Sequence, residues 1–315
     1  QLARDGMDPA NEPEDDAAGA MAALGAIATK EDAQARPMVD VLVAAYAKRR
    51  TVATAGRSGA FDCGFTVLNE HQVFYPTFVV ISADKGQGKS ALMTALSGNF
   101  ASNGHPNAMF SLESAPEDIG LRYTSMETSI PHSYVRDWRP PQFTEEHHDR
   151  VMECQRVASH RGIFVTGSTR ALEPMLLEIR RLRVVHHIQI VLIDYIQLMK
   201  VASQRFDRDE LKYAYIAQEL LTTAVDLGVC IVAFSQVNKE GQIAYAESIE
   251  KSARVRLHFE RSKEMPCRVS LSILKNNEGR TNSGYPFHFN EVTQQWGEGS
   301  CADNGHGTSA TQPIL

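Results

Sequence analysis

From Phe61 onward the chain alternates short apolar runs with longer stretches of helical periodicity. Both patterns are buried together in a mostly parallel sheet flanked by helices, since strands hidden on both faces read as unbroken apolar runs and need helical crossovers between them. The runs are FVVIS from Phe78, AMFSL from Ala108, GIFVT from Gly162, IQIVLID from Ile188, CIVAFS from Cys230 and RVSLSIL from Arg268. They predict an α/β fold with its core in residues 59–297, a length suited to one large domain.

Residues 1–30 are acidic and rich in Ala and Gly, hold little that can enter a core, and predict a disordered segment. Residues 31–58 predict a linker helix: Pro37 opens it, Met38, Leu42 and Ala45 share a face, and Lys48, Arg49 and Arg50 end it where cations favour the helix dipole. Beyond Trp296 the chain turns polar and Gly/Ser/Thr-rich, which predicts a disordered tail over 298–315. The net charge of -6 argues against a wholesale nucleic-acid coat, so any contact with DNA must come from a local basic stripe. The five cysteines, at 63, 154, 230, 267 and 301, include no C-x-x-C pair, which predicts neither a disulfide framework nor a zinc site. No apolar run approaches the roughly 18 residues that span a bilayer, and the expected setting is reducing, cytoplasmic and away from membranes.

Between the run FVVIS and the helical pattern ALMTAL stand Ala83, Asp84, Lys85, Gly86, Gln87, Gly88, Lys89 and Ser90, followed by Ala91. Small residues there let backbone N–H groups face phosphates, and the helix that follows adds its N-terminal dipole. Lys89 is placed to reach the β- and γ-phosphates of ATP and Ser90 to coordinate Mg²⁺. Three further side chains end apolar runs on what a parallel sheet makes the same edge. Glu113 suits the orienting of an attacking water, Asp194 the magnesium shell, and Gln236 the sensing of a γ-phosphate.

In this order the motifs resemble the DnaB-type replicative helicases, including the helicase halves of phage primase-helicases, over residues 61–296. The resemblance rests on FDCGFTVLN, SADKGQGKS with Ala83 at its first glycine position, MFSLESAPEDIGLR, VLIDYIQLM, AFSQVNK, and SIEKSARVRLHFER followed by ILKNNEG. It implies a RecA-like P-loop core, ATP and Mg²⁺ as cofactors, and assembly into a hexameric ring around single-stranded DNA in a bacterial cell or phage-infected host. It also implies Glu113 as catalytic carboxylate, Lys89 and Ser90 as the Walker-A pair, Asp194 as the Walker-B carboxylate, Gln236 as sensor, and Lys275 as a lysine reaching the neighbouring subunit's nucleotide. No large domain stands before the linker helix in this sequence, which reads either as a trimmed chain or as a compact motor that recruits a primase, polymerase or helicase loader separately.

The departures are specific. Asn277 stands where the family carries an arginine finger, and Arg280 is the candidate substitute, read equally well as an exposed turn residue. Ser252 and Arg254 replace acidic residues and Glu247 a glycine, so the segment from Asn238 to Lys251 gains basic character. Lys239, Gly241, Gln242 and Lys251 are its predicted DNA contacts. Arg122 reads equally as a structural or a nucleotide-contacting residue. A recombinase or loader of RecA type, using ATP as an assembly switch without unwinding, is the rival reading.

Overall fold

The computed structural model describes residues 37–54, 59–138, 142–167, 170–237, 249 and 251–301. Six strands run parallel: β1 (Phe78–Ala83), β2 (Asn107–Ser111), β3 (Ile163–Thr166), β4 (Ile190–Asp194), β5 (Cys230–Gln236) and β6 (Val255–Arg261), in the spatial order β3-β2-β4-β5-β1-β6. Three antiparallel strands, β7 (Arg268–Asn276), β8 (Asn282–Phe289) and β9 (Trp296–Glu298), extend the sheet beyond β6.

Alternation along each central strand sends successive side chains to opposite faces. Val79, Ile81 and Ala83 of β1 join one core with Met109, Leu192, Val232 and Leu257, covered by Leu92, Met93, Leu96 and Phe100 of helix α3 (Lys89–Ser102), for which α1 is Met38–Thr54 and α2 Thr66–Glu70. Phe78 and Val80 join the opposite core with Phe110, Val191, Ile193 and Ile231. That face is covered by α7 (Leu172–His186) and α8 (Asp209–Leu227), through Met175, Ile179, Ile216 and Leu220. Apart from Ala83, each of these side chains contributes about 1.5–3 kcal/mol when taken out of water, which is why the central strands are mostly apolar. Between β2 and β3 run α4 (Pro116–Thr128), α5 (His132–Asp137) and α6 (Glu145–Ala158).

Several expectations need correction. Helix α1 continues past Arg50 to Thr54, and its side chains at 37–47 and Arg50 are all exposed, so the face of Met38, Leu42 and Ala45 does not pack on this domain. The strands β6, β8 and β9 are additional to the six runs; VRLHFER has the alternating burial of a strand whose two faces differ, not an unbroken apolar run. Glu113 stands two residues beyond the end of β2, not on it. The sheet passes the expected boundary at 297: Glu298 belongs to β9 and accepts the amide of Val67 at 2.8 Å. Cys267 and Cys301 form a disulfide, with Cα atoms 6.2 Å apart, against the expectation of none. Their 34-residue separation gave no signal, because antiparallel pairing of β7, β8 and β9 is what brings them together. The expected disordered segment at 1–30 and the tail beyond Cys301 lie outside the described residues.

Candidate active site

Because β2, β4, β5 and β1 are parallel neighbours, their carboxyl ends lie along one edge of the sheet. Ser111 pairs in register with Asp194, and Ala83 with Gln236. The loop from Asp84 to Gly88 leaves β1 at this edge and turns straight into α3. Gly88 carries the turn at φ +96°, in the left-handed region, and a Cβ there would meet the rings of Trp296 at 3.4 Å and Phe289 at 3.5 Å. Only glycine takes this position without strain.

The Ser90 hydroxyl donates to Asp194 Oδ2. Asp194 is 1% exposed, and its other oxygen, Oδ1, is buried without a hydrogen-bond partner among the described residues. Burial raises its pKa above the usual carboxylate range, and the Ser90 hydrogen bond, Lys89 and Arg122 oppose that rise. Lys89 is buried too, and its ammonium donates to the carbonyls of Ala83 at 3.1 Å and Asp84 at 2.7 Å. Burial lowers its pKa, while Asp194, Glu113 and Asp84 hold the charge on. A half-buried hydroxyl, a buried carboxylate with one oxygen unpaired among the described residues and a lysine on a glycine turn form a hard-oxygen donor set beside a cation. Such a set fits a phosphate chain carrying Mg²⁺.

Of the predicted residues, Ala83 and Ala91 are buried under the loop, Asp84, Lys85 and Gly86 are exposed on it, and Gln87, Gly88 and Ser90 are half-buried. Glu113 is exposed at the mouth, near enough to act electrostatically on both Lys89 and Asp194. Lys275 and Arg280 are not brought to this edge. β7 runs antiparallel to β6, so Lys275 ends near Arg254, whose amide bonds the carbonyl of Phe78 at the far end of β1. Six residues of strand put that edge roughly 16 Å from the phosphate loop. Lys275 donates there to the carbonyls of Ala253 at 2.6 Å and Lys251 at 3.4 Å, and Arg280 is exposed on the turn that follows. The exposed Lys251 shares that edge, whereas Lys239, Gly241 and Gln242 lie outside the described residues.

Sequence reasoning missed two features. Gln197, in the 3-10 turn after β4, donates through Nε2 to Ser235 Oγ at 2.8 Å and to Gln236 O at 3.0 Å, and accepts from Gln236 N at 3.3 Å. Its signal was a lone carboxamide inside the apolar block VLIDYIQLM. The second is an aromatic wall: Arg261 lies over the Phe289 ring at 5.0 Å, Phe289 lies beside Trp296, and the Arg261 amide donates to Gln87 Oε1 at 2.9 Å. Only the fold of β8 and β9 over the loop makes these residues neighbours.

With the loop, the two carboxylates and Gln236 all on one sheet edge, the family comparison is decisive: the model of the DnaB-like helicase C terminal domain matches residues 61–246. The chain belongs to the DnaB-like helicase family. Replicative DNA helicase DnaB of Helicobacter pylori is 29% identical over 165 residues, 52% of this chain and 33% of that protein. Replicative DNA helicase DnaC of Bacillus subtilis is 26% identical over 245 residues, 76% of this chain and 53% of that protein. The chain thus spans between a third and about half the length of these relatives. A solved ATPase domain superposes with a TM-score of 0.74 at 19% identity, over 84% of this chain and 99% of its own. A DnaB-like replicative helicase, solved with its interactions with primase, superposes with a TM-score of 0.72 at 19% identity, over 90% of this chain and 72% of that one. The two solved structures share the fold of this chain.

Proposed function

We propose that this DnaB-like chain is an ATP-hydrolysing motor that moves along single-stranded DNA and separates the duplex ahead of it. The observation that carries the reading is the meeting of Ser90, Asp194 and Lys89 beneath a glycine turn, with Gln236 in register beside Ala83. Ser90 and Asp194 would hold Mg²⁺, which supplies charge neutralisation on the phosphates when bound. Lys89 leaves the carbonyls of Ala83 and Asp84 for phosphate oxygens. Glu113, exposed at the mouth, orients the attacking water and accepts its proton. The wall of Arg261, Phe289 and Trp296 offers a flat surface beside the loop for a nucleobase.

Lys275, Arg280 and Lys251 face away from their own phosphate loop, so any part they play in hydrolysis is in a second copy's site. The exposed apolar face of α1 supports the same assembly, since Met38, Leu42 and Tyr46 are 71%, 61% and 72% exposed and suit docking on a neighbouring subunit. The likeness to the family supports a ring of six on single-stranded DNA, with a primase, polymerase or loader as partner.

The test is Mg²⁺-dependent ATP hydrolysis with and without oligo-dT, together with strand separation on a forked duplex. Hydrolysis that DNA stimulates and that Lys89→Ala abolishes supports the motor; turnover that survives Lys89→Ala overturns the site. Asn277, in the place of an arginine, favours a second reading, an ATP-switched assembly factor on single-stranded DNA. Binding and filament formation without unwinding would select it.

A further inference from the structure

Glu113 stands two residues beyond the end of β2 and is exposed, so packing does not fix its direction. The peptide planes on either side of it do. A peptide unit is rigid and the backbone turns only about φ and ψ, so pinning the planes before and after one residue fixes where its side chain leaves the chain. The plane after Glu113 carries the Ser114 amide, which donates to Ser111 Oγ at 3.2 Å, and the same hydroxyl donates to the Ser114 carbonyl at 2.7 Å. The plane before it carries the Leu112 carbonyl, which accepts from Arg170 Nε at 3.1 Å. The Leu112 amide donates to the Asp194 carbonyl at 2.7 Å, so the residue ahead of Glu113 is tied to the end of β4 as well.

Arg170 comes from the connection between β3 and α7. Gly167 lets that connection pass close to the Glu113 turn, since a Cβ there would meet Pro116 Cδ at 2.9 Å and the Ser111 carbonyl oxygen at 3.4 Å. The backbone of Arg170 is itself held. Its carbonyl accepts from the Lys200 amide at 2.8 Å, and the Lys200 carbonyl accepts from the Leu172 amide at 2.8 Å. The Glu173 carboxylate takes the amides of Ala202 and Ser203 at 3.1 and 2.9 Å. The segment that leaves Asp194 is thus laced to the start of α7, with Arg170 at the crossing. A guanidinium keeps its charge at any working pH, so the Leu112 carbonyl faces a charged donor, which bonds more strongly than a neutral one.

We propose that Arg170 is a positioning residue for hydrolysis: through the Leu112 carbonyl it sets the peptide plane that presents the Glu113 carboxylate to the attacking water. The inference rests on the role proposed for Glu113 above. Arg170 acts without touching the nucleotide. Once it is removed, the plane ahead of Glu113 turns about ψ of Leu112 and φ of Glu113, and the carboxylate samples directions that miss the water. Lys89, Ser90 and Asp194 keep their bonds meanwhile. The loss therefore falls on turnover and not on nucleotide binding, because the orientation of the base counts in the transition state.

The experiment uses the full chain as wild type, Lys89→Ala, Glu113→Gln, Arg170→Ala, Arg170→Met, Arg170→Lys and the double variant Glu113→Gln with Arg170→Met. It measures kcat and KM for Mg²⁺-ATP hydrolysis and affinity for a non-hydrolysable imido analogue of ATP. Arg170→Ala and Arg170→Met are each expected to lower kcat by about 10–100-fold, on the scale that a misplacement of about 1 Å produces. KM and analogue affinity should stay within about twofold of wild type, because ground-state binding is untouched. Arg170→Met keeps the apolar stem and reads the same loss should Arg170→Ala not fold. Arg170→Lys, still a charged donor, should retain more turnover than Arg170→Met. The double variant should be no slower than Glu113→Gln alone, because Arg170 acts only through that carboxylate. The assignment is overturned if Arg170→Met slows the Glu113→Gln background by the same factor as wild type, weakens the analogue in step with kcat, or leaves kcat unchanged. If Lys89→Ala or Glu113→Gln hydrolyses ATP as well as wild type, the nucleotide site proposed above is wrong, a failure those two variants reveal with Arg170 intact.

Discussion

Gln197 grips the backbone of Gln236 from both sides, its Nε2 donating to the carbonyl at 3.0 Å and its Oε1 accepting from the amide at 3.3 Å. The carboxamide thereby ties the turn after Asp194 to the end of β5, and Tyr213 anchors it by donating to the Gln197 carbonyl at 3.0 Å. Gln197→Ala leaves the two backbone groups of Gln236 half-buried and unpaired, at a cost of about 1–3 kcal/mol. If Gln236 is the γ-phosphate sensor proposed above, DNA stimulation of hydrolysis is expected to fall more than basal hydrolysis, because Gln236 loses its fixed position while Lys89 and Asp194 keep theirs. Steady-state rates with and without oligo-dT decide this, and equal losses in both would show that Gln197 serves stability alone.

Gly88→Ala forces an L-residue into the left-handed region at φ +96° and presses its methyl toward Trp296. A strain of about 1–2 kcal/mol is expected from the backbone alone. Nucleotide affinity should drop by at least tenfold while the far-ultraviolet circular dichroism spectrum stays unchanged, and a titration with a fluorescent nucleotide reads it.

Asp194→Asn separates stability from function. Burial holds Asp194 above the ordinary carboxylate range. The folded chain therefore binds more protons than the unfolded one between the ordinary value and the raised one. Stability from this group is greatest at low pH and is lost as pH rises through that window. The asparagine variant lacks this loss, so at neutral pH its apo form should melt higher, by about 2–4 °C for each ~1 kcal/mol recovered. Its Mg²⁺-dependent hydrolysis should vanish. Calorimetry across pH checks the first half, and a variant that melts lower at every pH would refute it.

Deleting residues 1–58 removes α1 with its exposed Met38, Leu42 and Tyr46. Sedimentation of the full chain in the presence of Mg²⁺ and nucleotide is expected to show an oligomer, and the deleted form a monomer. An oligomer of unchanged size would place the contact elsewhere.

The local grammar of this chain was legible in its residues. Apolar runs from Phe78, Ile188 and Cys230 mark strands because a strand buried on both faces has no solvent-facing position, and Gly86, Gly88, Lys89 and Ser90 mark the turn from β1 into α3 because their spacing is short-range. The meeting of Ser90 with Asp194 followed from parallel order alone, which brings strand ends to one edge. Tertiary structure alone decided what depends on distant pairing: the Cys267–Cys301 bridge, the wall of Arg261, Phe289 and Trp296, the clasp of Gln197 on Gln236, and the bond from Arg122 Nε to Gln294. The antiparallel reversal at β7 likewise carried Lys275 away from its own phosphate loop, a direction that strand pairing sets and composition cannot. Short-range patterns record which faces must be buried, whereas the partners of a polar side chain are chosen only when the sheet order and register are set.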